Sequence, residues 1–226
     1  MKVTGSPRLD MLIARLSELG PADLERARTL TGASDDEQIV LVTTKEKEAR
    51  HVLPALVAAA TSIPGVRLVI KPHPAETSDA YERVASQPGV TVLPADSALA
   101  PLLAASRAVI TVNSTVALDA AVAGVPALVI GLPNNLSPFV DAGALAGANT
   151  SEEIGDQLRR VLYDEGFRSQ LEAARREVLG AHAMSSDGRA AVRTAEAILE
   201  LTPNRTGTTG ASGVERAAKG ERNGGS

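Results

Sequence analysis

Two short runs in this 226-residue chain combine residue types that can hold an anion. The first is Lys71-Pro72-His73-Pro74, which follows the apolar stretch Val66-Arg67-Leu68-Val69-Ile70 directly. Proline fixes φ and disfavours helix in the residue before it, so the run leaves its strand stiff and extended. It presents a cation and an imidazole, and a neutral imidazole donates a hydrogen bond while a protonated one adds charge. A phosphate or an anionic leaving group suits that pair. The plainer alternative is a histidine that only ties loop to helix.

The second run is Val112-Asn113-Ser114-Thr115, at the end of another β-branched stretch and the start of a helical pattern. Ser114 or Thr115 serves as N-cap there, and the first backbone N–H groups of a helix point outward unpaired, ready for an anion. The plainer alternative is an N-cap and nothing more. Asp119 follows Thr115 by one turn and is either an acceptor for ribose hydroxyls or a solvated helix charge. Thr43-Thr44-Lys45 and Pro133-Asn134-Asn135 end two further apolar runs and are weaker candidates for walls of the same cleft. Thr43, Thr44, Asp119 and Pro133 are the candidates for the part of a ligand beyond its phosphate, a nucleoside if that ligand is a nucleotide.

These runs share a site only if the elements behind them form one sheet. Apolar runs at 39–42, 66–70, 90–93, 108–112 and 127–130 alternate with helical patterns at 46–60, 77–86, 97–105 and 114–123, the last stopped by Gly124. The strand runs are continuously apolar, as expected where both faces are covered by helices. The fold class is therefore α/β, a doubly wound, Rossmann-like parallel sheet whose ligands bind at the C-terminal ends of the strands. Both chemical runs lie at such ends. Helical patterns at 152–162, 167–179 and 188–201 follow. We divide the chain into a lead-in segment with a helix (1–37), the nucleotide-binding domain with its C-terminal helices (38–201), and a tail poor in apolar residues and read as disordered (202–226). Gly207, Gly210 and Gly213 lie in that tail without a strand before them or a helix after them, and are not a phosphate loop.

Composition excludes several classes. A formal charge of −4 lacks the basic excess that backbone-phosphate attraction to nucleic acid requires, and two Tyr, two Phe and no Trp offer no stacking platform. The absence of cysteine removes disulfides, thiolate zinc sites and cysteine nucleophiles. No metal-ligand cluster is evident. No run reaches the ~18 apolar residues of a membrane span, and no signal peptide is evident, so a cytoplasmic protein is expected. Four Asn-X-Ser/Thr sequons, at Asn113, Asn135, Asn149 and Asn204, are chance matches in that setting.

A Lys-Pro-His-Pro turn, followed about forty residues later by an Asn-Ser-Thr turn that runs into Val116-Ala117-Leu118-Asp119-Ala120-Ala121-Val122-Ala123-Gly124-Val125-Pro126, resembles the C-terminal domain of GT-B-fold glycosyltransferases. The likeness is nearest to the bacterial capsule polysaccharide and surface-carbohydrate families, Kdo transferases and polysialyltransferases included, and to the CDP-glycerol glycerophosphotransferases of teichoic acid synthesis. It covers roughly residues 3 to 200. The opening Val3-Thr4-Gly5-Ser6-Pro7-Arg8-Leu9-Asp10 is similar to the segment where such enzymes, and the UDP-N-acetylglucosamine 2-epimerase group, cross between their two domains.

The resemblance implies that His73-Pro74 and Ser114-Thr115 bind the phosphate of a cytidine nucleotide donor. With Lys71 and Asn113 they would form the phosphate set, with His73 as the catalytic group that steadies the leaving phosphate. It implies a CMP-, CDP- or UDP-linked donor as substrate and no separate cofactor. It also implies an N-terminal acceptor domain or partner chain, through which the protein would reach a membrane surface. Polysialyltransferases carry an acidic motif that supplies the general base, but earlier in the chain than Asp164-Glu165-Gly166 stands here, and we read that triplet as a helix–helix junction. The expected function is the donor-binding half of a glycosyltransferase or glycerophosphotransferase. The alternatives are a UDP-sugar 2-epimerase-like enzyme and a non-catalytic nucleotide-binding subunit or remnant.

Overall fold

All five apolar runs are strands, and a sixth joins them. The computed structural model describes residues 2–44, 46–76, 81–112, 114–132, 135, 137–182, 184 and 187–201, with the backbone alone for Thr44, Glu46 and Glu48. The strands are β1 (Gln38–Thr44), β2 (Val66–Pro72), β3 (Val90–Val92), β4 (Ala108–Val112), β5 (Ala127–Ile130) and β6 (Ala146–Ala148). They pair in parallel in the order β3-β2-β1-β4-β5-β6. The order reverses between β1 and β4, so the chain winds outward from that seam in both directions, and the C-terminal ends of β1 and β4 frame the crevice where such sheets bind ligands.

Successive side chains of a strand point to opposite faces, and here each face has its own core. Val40, Val42, Leu68, Ile70, Ile110 and Leu128 pack on one side against α4 (Leu53–Thr61) and α9 (Ser151–Tyr163). Leu41, Val69, Val109 and Val129 pack on the other against α6 (Leu99–Ala105) and α7 (Val116–Val122). A strand needed on both faces cannot alternate with polar residues, which is why these runs read as unbroken apolar stretches.

The departures from expectation have local causes. The helix expected over 46–60 is two, α3 (Glu46–Ala49) and α4, broken at Arg50-His51-Val52. Pro54 has no N–H and fits only in a first turn, so a new helix starts just ahead of it. The helix expected over 77–86 is α5 (Glu82–Ala85), with 77–80 outside the described residues. The lead-in segment holds two helices rather than one, α1 (Pro7–Ser17) and α2 (Pro21–Thr31). Each begins with proline at its first position, and the Asp23 carboxylate accepts the Gly20 N–H at 2.9 Å. Leu9 and Ala27 are buried, and Thr91 Oγ1 donates to the Thr31 carbonyl at 2.7 Å, which docks α2 on β3.

Strand β6 was not expected at all. Ala146-Gly147-Ala148 has no β-branched residue, and it is a strand because β5 pairs with it, Leu128 to Ala146 and Ile130 to Ala148. Gly147 is required there: a Cβ would stand 2.6 Å from Val140 Cγ1, on the short helix α8 (Pro138–Asp141). The C-terminal helices are α9, α10 (Glu165–Ala181) and α11 (Ala190–Leu201). Asp164 caps α10 by accepting the Phe167 N–H at 2.9 Å, so Asp164-Glu165-Gly166 is a helix–helix junction. The tail at 202–226 lies outside the described residues, and among those described no helix is long and apolar enough to cross a membrane.

Candidate nucleotide-binding site

Register puts the ends of three neighbouring strands level. Thr43 of β1 pairs with Lys71 of β2 on one side and with Thr111 of β4 on the other. The loops that carry His73 and Ser114 therefore leave the same end of the sheet, on the two sides of β1. Paired residues of parallel strands share a face, so Thr43, Lys71 and Thr111 all point toward the side that carries α6 and α7. Among the described residues, the buried hydroxyls of Thr43 and Thr111 have no hydrogen-bond partner.

Lys71 is buried, at 7% exposure. Its Nζ donates to the Ala95 carbonyl at 2.9 Å and to the Pro72 carbonyl at 3.4 Å. Burial pushes the ammonium below the usual lysine range, and the Asp96 carboxylate pulls it back up. The side chain thus pins the end of β2 to the connection between β3 and α6. It adds positive charge beneath the site rather than on its surface.

His73 is exposed and stands in a tight turn, its carbonyl accepting the Glu76 N–H at 2.8 Å. Its Nδ1 lies 3.1 Å from the Ala75 backbone nitrogen and accepts that N–H. A ring nitrogen that accepts carries no proton, so the neutral imidazole holds its proton on Nε2, which becomes a hydrogen-bond donor. One ring nitrogen thus orders the loop, and the other is left as a donor. Pro74 follows, exposed, at the second position of the turn.

Asn113 lies outside the described residues. Ser114 is half-buried, and its Oγ accepts the Val116 N–H at 3.3 Å, while the exposed Thr115 makes no side-chain cap. Both hydroxyl residues line a cavity of about 330 Å³ whose far wall is Ser137, Pro138 and Phe139 at the start of α8. That wall escaped the sequence reading. Its signal was the Ser137-Pro138 pair, a helix start of the same form as Ser6-Pro7. Asn135 supports it, donating from Nδ2 to the Val129 carbonyl at 3.1 Å and accepting the Ser137 N–H at 3.0 Å. Pro133 and Lys45 lie outside the described residues, and Thr44 ends β1 opposite Pro72.

Asp119 is not a solvated helix charge. It is 2% exposed and points to the other flank of α7. Arg8 of α1 donates from Nη1 to Oδ2 at 2.9 Å and stands 2.7 Å from Oδ1. Burial raises the carboxyl above the ordinary aspartate value and Arg8 opposes the rise. Arg8 and Asp119 border a second cavity of about 570 Å³ between α1, α2 and the start of α6. Helix α7 thus separates Asp119 from the cavity of Ser114 and Thr115. Among the described residues no group of three or more His, Asp or Glu is placed to hold a metal ion.

Comparison with known proteins bears on the fold. The family described as capsule polysaccharide biosynthesis protein matches residues 31–136, a span that contains both loops. No curated protein matches by sequence. Among solved structures, the UDP-GlcNAc 2-epimerase from Neisseria meningitidis bound to UDP-GlcNAc is 19% identical, with a TM-score of 0.62 over 87% of this chain and 54% of that one. The wall teichoic acid polymerase TagF is 14% identical, with a TM-score of 0.55 over 89% of this chain and 52% of that one. The C-terminal CMP-Kdo binding domain of WaaA from Acinetobacter baumannii is 20% identical, with a TM-score of 0.52 over 71% of this chain and 99% of that domain. The chain spans about half the length of several structures it resembles, 47% of a spinosyn rhamnosyltransferase and 52% of WaaG, a glycosyltransferase involved in lipopolysaccharide biosynthesis. Its fold is that of the C-terminal half of a GT-B glycosyltransferase.

Proposed function

We propose that the chain is the donor-nucleotide-binding half of a glycosyltransferase or glycerophosphotransferase of surface or capsule polysaccharide synthesis. The observation that carries the reading is the convergence of the His73 and Ser114-Thr115 loops on one end of the sheet, on either side of β1. His73 Nε2 and the hydroxyls of Ser114 and Thr115 contact the donor phosphate, with Asn113 and Pro74 beside them. Lys71 acts one step removed, through its charge and by holding the strand end. Donors placed before the reaction stabilise the charge that builds on the leaving phosphate as the bond to the transferred group breaks. His73 is the catalytic group in this account. Thr43, Thr44 and Pro133 border the nucleoside.

The acceptor side belongs to an N-terminal domain or a separate partner chain. The half-length coverage of the related structures supports that division. The substrate is a CMP-, CDP- or UDP-linked donor. Calorimetry with CMP, CDP and UDP tests the proposal: one of them binds tighter than millimolar, and His73→Ala weakens it. Binding no tighter than millimolar for all three, or equal binding by His73→Ala, contradicts it. A 2-epimerase-like activity is the second reading, favoured by the TM-score of 0.62 to the Neisseria enzyme. A uridine preference together with conversion of a UDP-sugar in the absence of any acceptor would select it.

A further inference from the structure

At the end of the sheet away from the His73 and Ser114 loops, three arginines line one cavity. Arg107 stands just before β4, and Arg168 and Arg175 lie two turns apart on one face of α10. With Gly124, Pro126 and Ser169 they enclose about 340 Å³, inside the ~300–1,000 Å³ range of small-ligand pockets. Arg168 Nη1 donates to the Val161 carbonyl at 2.8 Å, and Arg107 Nη2 approaches the next carbonyl, Leu162, at 3.5 Å. Two guanidiniums thus hang side by side from successive carbonyls in the last turn of α9. Each uses one N–H there, out of the five that a guanidinium carries.

Capping α9 explains Arg107 and Arg168 but not Arg175, which donates no hydrogen bond to a described residue although it is half-buried. Burial lowers the pKa of Arg168 and of Arg175, and Arg107 lowers that of Arg168 further. Like charges held together, with Arg168 and Arg175 partly desolvated beside the exposed Arg107, favour an arriving anion. Glu165 and Glu172 also border the cavity. Glu172 offsets part of the charge of Arg175, but it is itself ion-paired with Arg176. The lining therefore stays cationic.

The geometry points to a second anion site, formed by Arg107, Arg168 and Arg175 at the N-terminal end of the sheet and suited to a phosphate group. Three forked donors arriving from two elements match a tetrahedral, multiply charged anion better than a single planar carboxylate. The phosphate belongs either to a free phosphate or phosphomonoester or to a lipid headgroup. This assignment is independent of the donor cleft, which opens at the other end of the strands.

The test starts from the full chain carrying His73→Ala and Ser114→Ala together, which removes two of the three proposed donor contacts. Inorganic phosphate is titrated by calorimetry, and sedimentation is measured with phosphatidylcholine vesicles with and without phosphatidic acid. The double variant retains binding in at least one arm. Adding Arg175→Gln weakens that binding at least tenfold, and Arg175→Lys restores part of it. Arg175 caps nothing, so the folded circular dichroism signal is unchanged. Binding of phosphate in solution assigns the free anion, and binding only to phosphatidic acid vesicles assigns the headgroup. If neither arm shows binding that depends on Arg175, the site does not exist.

Discussion

The two loops at the ligand end of the sheet divide their residues in the same way and satisfy them by different means. In each, the residue with a full charge is buried and serves the scaffold, while the neutral polar residues face outward. Lys71 of the β2 loop is satisfied by neutral carbonyls, at Ala95 and Pro72. Asp119 of the β4 loop's helix is ion-paired with a cation from another element, Arg8, which donates to Oδ2, while its buried Oδ1 has no hydrogen-bond partner among the described residues. Among the described residues, the two loops present an exposed imidazole on one side of β1 and, on the other, the half-buried hydroxyl of Ser114 and the exposed one of Thr115. Ligand contact in this account comes from oriented dipoles, with the buried charges setting the field behind them.

The comparison breaks most visibly at Arg8. Removing one partner of a buried pair leaves the other charge uncompensated, which costs about 3–5 kcal/mol when both are enclosed. The Arg8 side chain is 56% exposed and that of Asp119 3%, so the penalty falls on Asp119 alone, and we expect Arg8→Ala to cost about 2 kcal/mol near neutral pH. The pH dependence has a definite sign. Asp119 titrates above 3.8 in the fold, so the folded state holds its proton longer than the unfolded chain does. Its contribution to stability is full below 3.8 and is lost as pH rises through the raised folded value. Arg8→Ala should therefore destabilise least near pH 3.8 and progressively more toward neutrality, and Asp119→Asn should remove this slope. Denaturant unfolding across that interval would show it, and a pH-independent cost for Arg8→Ala would contradict a buried carboxylate.

The loop residues should separate stability from affinity. His73→Ala removes an exposed side chain, so we expect a nucleotide affinity loss of about tenfold, or about 1.4 kcal/mol, with little change in unfolding. Lys71→Met should do the reverse. It orphans the Ala95 carbonyl and lowers stability by about 1 kcal/mol while changing affinity less than His73→Ala does. A larger affinity loss in Lys71→Met than in His73→Ala would mean that the ammonium touches the phosphate itself. Ser114→Ala should be the mildest of the three for stability, about 0.5 kcal/mol, because the Val116 N–H it loses can turn to water.

These side chains also mark the limit of what the sequence discloses. The strands were legible because burial on both faces forces continuous apolar runs, and the two loops were legible because proline and hydroxyl residues sit where those runs stop. Strand β6 was not, since Ala-Gly-Ala carries no β signal and owes its state to pairing with β5 and to the closeness of Val140. Pro54 did carry a signal, the break between α3 and α4, which an otherwise regular apolar period conceals. The roles of Lys71 and Asp119 were invisible for a different reason. Their partners lie 24 and 111 residues away, so only the folded chain shows that both charges are already engaged. The sequence places a residue near a site, whereas its direction is decided by long-range packing.

Amide hydrogen exchange in the presence and absence of saturating CDP tests the central claim most directly. The account predicts that the nucleotide slows exchange at Ala75 and Glu76 and, in the same titration, at Val116 through Leu118, because one ligand bridges both loops. Protection of one loop without the other, or of neither, would contradict a shared phosphate site at this end of the sheet.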